Sequence, residues 1–330
     1  MTMGGPDSPE AVQPFLFNLF NDPAIIAAPG PIRWLLAKFI STRRAPVARD
    51  IYKLLGGRSP ILQETRDQAA ALEAVLTETG PAKVVVAMRY WHPFADEAAR
   101  EIAAFAPDRI VALPLYPQYS TTTSASSLKD FAEAARRAGI VAPIVEVCCY
   151  PTEPGFVAAE AEMIGAALTE AGTAGRIRLL FSAHGLPKKI VAKGDPYSWQ
   201  VERSAEAIVA RLGIADLDWR VCYQSRVGPL EWIGPATDDE IRQAGREGLS
   251  LVVVPIAFVS EHSETRVELD IEYGHLAREA GVPKYLRVPT VSSHPAFIRG
   301  LAAVTRSALA GGRERLCGRD TDHRCCPTEK

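Results

Sequence analysis

An α/β fold of two doubly wound, Rossmann-like domains is what this sequence predicts. Short β-branched apolar runs alternate with longer amphipathic stretches, the pattern of parallel strands with helices laid over both faces. Seven such runs over 330 residues suit two sheets better than one barrel. A turn-rich stretch, YPTEPG at 150–155, falls near the middle and marks the junction.

Taken in order, the first forty residues are apolar and aromatic, with FLFNLF at 15–20 and a second stretch at 32–40 that holds Trp34 and Phe39. They read either as two core helices or as a greasy lip over an apolar ligand or a membrane surface. Helical periodicity then covers 61–78, 95–105 and 128–138, between strand runs at 84–88, 110–115 and 144–147. Beyond the junction, helices are expected at 156–170, 197–212 and 238–247, with strands at 177–182, 219–223, 251–258 and 285–288. The expected bounds are 1–149 for the first domain, 150–312 for the second and 313–330 for a polar, Cys-rich tail.

Composition narrows the function. The net charge is −2 with 23% charged residues, so there is no basic excess to hold nucleic acid. No apolar run reaches the roughly 18–20 residues of a membrane span, and the Gly/Pro-rich start lacks the layout of a signal peptide. A cytoplasmic location is expected. There the six cysteines are better read as buried thiols or metal ligands than as disulfides. No GxGxxG follows a strand and no GxxxxGK[ST] occurs, which weakens dinucleotide and NTP chemistry. SAH at 182–184 is not a GxSxG elbow.

In open parallel sheets, ligands bind at the carboxyl ends of the strands. Five predicted strand ends carry polar, aromatic or metal-capable residues. His184 follows a buried run and precedes Gly185, which permits a tight turn. Glu261, His262, Glu264, Glu268 and Glu272 lie where a strand passes into a helix. Glu264, Glu268 and Glu272 recur every four residues, so they share one helix face. That line is either a solvated acidic face or a path for a divalent cation or for protons. Imidazole and carboxylate ligands suit Fe²⁺ without trapping it as thiolates would.

These residues sit in blocks that resemble the ferrochelatase family over nearly the whole chain. LLFSAHGLP at 179–187 followed by GDPY at 194–197 is similar to the family signature. GGPD at 4–7, GGRSP at 56–60, MRYWHP at 88–93, LYPQYS at 115–120, YQSRVGP at 223–229 and SEHSET at 260–265 support it in order. The resemblance implies four-stranded, chelatase-like sheets and a lyase that inserts Fe²⁺ into protoporphyrin IX as the last step of haem synthesis. It implies that His184 faces the porphyrin centre, binding metal or taking pyrrole protons, with Glu264 its acidic partner across the macrocycle. Glu261 and His262 are then neighbours in the site, and Glu268 and Glu272 the acidic path behind. Met3, Arg43, Arg44, Tyr52, Ser59, Arg89, Tyr90 and Trp232 match positions that line the porphyrin cleft in relatives. Two pyrrole protons must leave as iron enters, so a base is needed at the ring face, and Arg, Ser or Tyr groups can hold the propionates.

Alternatives remain: a coproporphyrin ferrochelatase, another tetrapyrrole chelatase, or a non-catalytic porphyrin or haem carrier. A homodimer and a peripheral contact with the inner face of the membrane stay open. Relatives begin with an apolar strand before GGP, whereas here only Met1, Thr2 and Met3 precede it. Either the start is mis-assigned or the first domain lacks a central strand. In the tail, Cys317, Cys325 and Cys326 fall within ten residues. Four thiolates hold a 2Fe–2S cluster. Thr121 occupies the position of the animal-type ligand, so Cys149, beside Cys148, is the expected fourth, as in some bacterial relatives. Zinc, with His323 contributing, or no metal at all are the rivals.

Overall fold

The computed structural model describes residues 1–172, 175–226 and 230–311. Its described residues divide into two units. One comprises 1–116, 120–148 and 302–311; the other comprises 117–119 and the described residues of 149–301.

In the first unit, α1 (Val12–Phe20) and α2 (Gly30–Lys53) pack as a helical pair. Val12, Phe15 and Leu16 of α1 join Ala45 and Tyr52 of α2 in one apolar cluster, so α1 fits the core-helix reading. α2 fits it only in part, because Ile32, Trp34, Leu35, Leu36 and Phe39 stand exposed. Helices α3 (Ile61–Thr77), α4 (Ala95–Phe105) and α5 (Ser124–Arg137) follow the expected periodicity. Strands β1 (Ile110–Ala112) and β2 (Ile144–Glu146) pair in parallel.

The four-stranded sheet expected here is not formed. Residues 84–88 make only isolated bridges, Met88 with Thr2 and with Phe94. Thr2 N–H donates to Ala87 O, Arg89 N–H to Thr2 O and Tyr90 N–H to Met3 O. On the other side, the Met1 ammonium donates to Leu113 O and Leu115 N–H to Met1 O. Met1–Met3 thus lies between the 84–88 and 110–115 segments, in the central position expected to be missing.

The second unit has the predicted four-stranded parallel sheet, in the order β4 (Asp218–Gln224), β3 (Ile177–His184), β5 (Ser250–Val254), β6 (Tyr285–Arg287). Leu179, Leu180, Phe181, Val252 and Val253 are fully buried, as strands covered on both faces require. Helices α6 (Pro154–Ala171) and α8 (Tyr197–Leu212) pack together, with the short α7 (Lys188–Val191) leading into α8. Helix α9 (Thr237–Glu247) packs on the sheet and against α10 (Tyr273–Glu279). α10 continues a nine-residue π-helix, Glu264–Glu272, where an α-helix was expected. The final helix, α11 (Pro295–Leu309), begins in this unit and ends in the first. Register sets His184 of β3 beside Gln224 of β4 at the carboxyl edge of the sheet.

Candidate active site

The site grows from that edge. β3 is buried from Arg178 to Ala183, then ends on His184 with its side chain 39% exposed. Gly185 turns the chain: its N–H donates to Gln224 O at 2.8 Å. A Cβ there would stand 2.9 Å from that same carbonyl and 3.1 Å from Trp232, so the turn accepts only glycine. Trp232 faces the His184 ring at 6.4 Å between centroids.

His184 Nδ1 lies 2.6 Å from Gly185 O. A carbonyl only accepts, so Nδ1 carries a proton and Nε2 is the ring nitrogen left to face Glu264. Nε2 stands 3.6 Å from Glu264 Oε1, and His262 Nε2 stands 3.2 Å from Glu264 Oε2. Each oxygen of one carboxylate therefore meets a different imidazole. Burial works to raise the Glu264 pKa, but the His184 charge and the His262 hydrogen bond outweigh it and hold the group at about 2. His262 is buried against Phe258, with ring centroids 4.7 Å apart. The phenol of Tyr197 hydrogen-bonds the backbone of His184.

One expectation is corrected by this geometry. A porphyrin cannot lie between His184 and Glu264, because stacking on both faces needs about 3.5 Å on each side, while the two groups are 3.6 Å apart.

Behind Glu264, Glu268 is gripped by β4 and the residue after it. Gln224 Nε2 donates to it at 3.0 Å, Ser225 N–H at 2.8 Å, and the Ser225 hydroxyl donates as well. Ser225 adopts φ 59°, a left-handed conformation that turns both of its donors toward this carboxylate. Burial and the Glu264 charge raise the Glu268 pKa. Glu272 is exposed. The line from Glu264 to Glu272 thus runs from the histidines toward solvent. Glu261 does not join it: Arg287, Thr290 N–H and the Thr265 hydroxyl take its carboxylate.

In the first unit, Met3, Tyr52 and Tyr90 share the apolar cluster of α1 and α2. Ser59 is buried against the turn of Gly5. Arg43 and Arg44 are exposed, over the rings of Phe39 and Phe20. Arg89 turns to Asp22 at 2.9 Å and Asp130 at 3.7 Å, and the Tyr90 hydroxyl donates to Asp22. Cys149 is buried with its sulfur accepting from Gln200 Nε2 at 3.3 Å, and burial pushes its thiol pKa to about 12. Cys317, Cys325 and Cys326 lie outside the described residues. Among the described residues no group of three or more His, Cys, Asp or Glu is placed to hold a metal ion.

Sequence reasoning missed Gln224, Ser225 and Arg287, all of which hold site carboxylates. The first two stood in a recognised block at a strand end; Arg287 closes a short strand with no local signal.

The family model for ferrochelatase matches residues 1–309. The chain belongs to the ferrochelatase family. A ferrochelatase of Caulobacter vibrioides is 56% identical over 322 residues, covering 96% of this chain and 92% of that one. A ferrochelatase of Phenylobacterium zucineum is 57% identical over 310 residues, covering 93% and 89%. Among solved structures, SirB from Bacillus subtilis with Fe³⁺ aligns with a TM-score of 0.54 at 13% identity, covering 74% of this chain and 89% of that one. CbiX, the terminal enzyme of sirohaem biosynthesis in denitrifying bacteria, aligns at 0.50 and 19% identity, covering 76% and 93%. These two establish the chelatase-like α/β fold. The family membership makes the chain a lyase.

Proposed function

We infer that this chain inserts Fe²⁺ into protoporphyrin IX to give protohaem. The observation that carries the reading is His184 Nε2, the ring nitrogen not tied to Gly185, 3.6 Å from the ionised Glu264. Metallation replaces two pyrrole protons by one dication. His184 Nε2 takes a pyrrole proton, and the Glu264 charge stabilises the imidazolium that forms. Glu268, with its raised pKa, receives the proton next, and Glu272 hands it to water. His184 and Glu264 also offer nitrogen and oxygen ligands to the incoming iron without the grip of thiolates.

The propionates of protoporphyrin are two, and the cations support that count. Arg89 is committed to Asp22 and Asp130, which leaves Arg43 and Arg44 exposed near the apolar cluster of Met3, Tyr52 and Tyr90. Coproporphyrin carries four propionates. The test is anaerobic incubation with Fe²⁺ and either porphyrin, followed in the Soret band. A shift with protoporphyrin IX supports the reading; turnover of coproporphyrin III alone makes the chain a coproporphyrin enzyme, and tight binding without turnover makes it a carrier.

The exposed face of α2 supports a peripheral membrane contact, on the inner face of the membrane for a cytoplasmic protein. Ile32, Leu35 and Phe39 lie at helical spacing, flanked by Arg33, Lys38 and Arg43. No helix among the described residues is long and apolar enough to cross a membrane. Phe39→Asp is expected to abolish flotation with anionic vesicles; equal flotation of both proteins refutes the contact.

For the tail, the reading is a 2Fe–2S cluster on Cys149, Cys317, Cys325 and Cys326, with zinc or no metal as rivals. Within the described residues the fit is poor, because the Cys149 thiol is buried and held protonated. Metal analysis of anaerobically purified protein and of Cys149→Ser decides it: two irons per chain that the substitution removes support the cluster.

A further inference from the structure

A π-helix is a rare and strained form, most often a single turn. Nine residues of it need fixing from outside, and the fixing here comes from β6 and the residues after it. Tyr285 OH donates to Leu269 O at 2.7 Å. Arg287 Nε and Nη2 fork onto the two oxygens of Asp270, each at 2.7 Å, and Nη1 donates to Glu261 Oε1 at 2.6 Å. Thr290 N–H adds a bond to the same Glu261 oxygen at 3.1 Å. The Arg287 and Glu261 side chains are only 7% and 4% exposed. Arg287 itself is paired to Val253 of β5, so the guanidinium stands on the sheet that also ends in His184.

Glu261 precedes Glu264, and Asp270 follows Glu268. One guanidinium therefore holds the chain on both sides of the two carboxylates that form the site. We propose that Arg287 is a positioning residue for iron insertion, whose clasp of Glu261 and Asp270 sets the register at which the π-helix presents Glu264 and Glu268 to His184. The proposal rests on the ferrochelatase reading. Lysine cannot replace the arginine, since one ammonium cannot fork onto Asp270 and reach Glu261 together. Burial works against the Arg287 charge, but Asp270 and Glu261 more than offset it and keep the guanidinium ionised.

The test compares wild type, Arg287→Met, Asp270→Asn, Glu264→Gln and Asp270→Asn/Glu264→Gln with Fe²⁺ and protoporphyrin IX. Asp270 is 32% exposed, so its substitution is expected to leave a folded protein even where Arg287→Met does not. A site displaced by a fraction of an ångström loses rate rather than affinity, so Asp270→Asn is expected to lower kcat about 10-fold with the porphyrin KM within about twofold. If the clasp acts through Glu264, the double variant is no slower than Glu264→Gln alone, within about twofold. An unchanged kcat in folded Asp270→Asn overturns the proposal, as does a loss that simply multiplies with that of Glu264→Gln. Wild type that inserts no iron into either porphyrin overturns the ferrochelatase reading itself, and the clasp's role with it.

Discussion

Glu264 holds an imidazole on each oxygen, and that arrangement separates the roles of the two histidines. His184 Nδ1 is tied to Gly185 O, so Nε2 is its reactive nitrogen; His262 spends its Nε2 on Glu264 and is buried. His184→Ala is therefore expected to abolish iron insertion while porphyrin still binds, read by porphyrin fluorescence quenching; wild-type turnover in that variant refutes the assignment. Glu264→Gln keeps the shape but loses the charge that supports the imidazolium, and turnover is expected to fall by roughly 10² or more. Glu268→Gln is expected to be intermediate, because Gln224 and Ser225 donate to both of its oxygens and an amide reverses one of those bonds. Glu272→Gln, at the exposed end of the line, is expected to stay within a few-fold of wild type. Steady-state rates of the three substitutions check the order; equal rates mean that the line is only a solvated face. The sequence placed these carboxylates on one face but could not tell which way each turned. Glu261 stood beside them by spacing and leaves the line only because Arg287, 26 residues away, takes its carboxylate.

Elements were legible in proportion to how far burial dictates composition. β3 and β5 are covered on both faces, so their centres, Leu179–Phe181 and Leu251–Val254, read as apolar runs and fell where expected. The run at 84–88 is equally apolar, yet it pairs only through isolated bridges of Met88 with Thr2 and Phe94, contacts that its own composition does not reveal. Glu264–Glu272 looked like an α-helix because a four-residue repeat of acids cannot distinguish the two windings; the π form is held by Tyr285 and Arg287, far along the sequence. The close approach of α6 and α11 was equally invisible. At Gly155 a Cβ would land on the Ala296 carbonyl and 2.8 Å from the Gly300 Cα, so backbone, not a movable side chain, fills the space. Gly155→Ala is expected to cost about 1–3 kcal/mol by overpacking, although alanine is the better helix former. Chemical denaturation measures this, and a variant as stable as wild type would show that the two helices can part at no cost.

At the scale of the whole molecule, one buried carboxyl ties stability to pH. Glu160 lies on α6 between Phe156 and Ile164, is fully buried, and neither of its oxygens finds a hydrogen bond. Burial raises its pKa from 4.5 to about 8. In the unfolded chain the carboxyl ionises near its ordinary value, so between these limits the native state binds more protons than the unfolded state. Stability then falls as pH rises through that window, with a slope of up to roughly 1.4 kcal/mol per pH unit from this group. Below pH 4.5 the acid is protonated in both states and contributes no slope. Other carboxylates, Glu264 and Glu261 among them, are held low and push the opposite way at acid pH. The comparison must therefore isolate Glu160. Glu160→Met keeps the volume and removes the titration. The substituted protein is expected to gain stability over wild type from about pH 5 upward, the gap widening until about pH 8 and then holding constant. Denaturation midpoints of the two proteins across that range give the difference directly, and a gap that does not change with pH would mean that Glu160 finds a partner or water in solution.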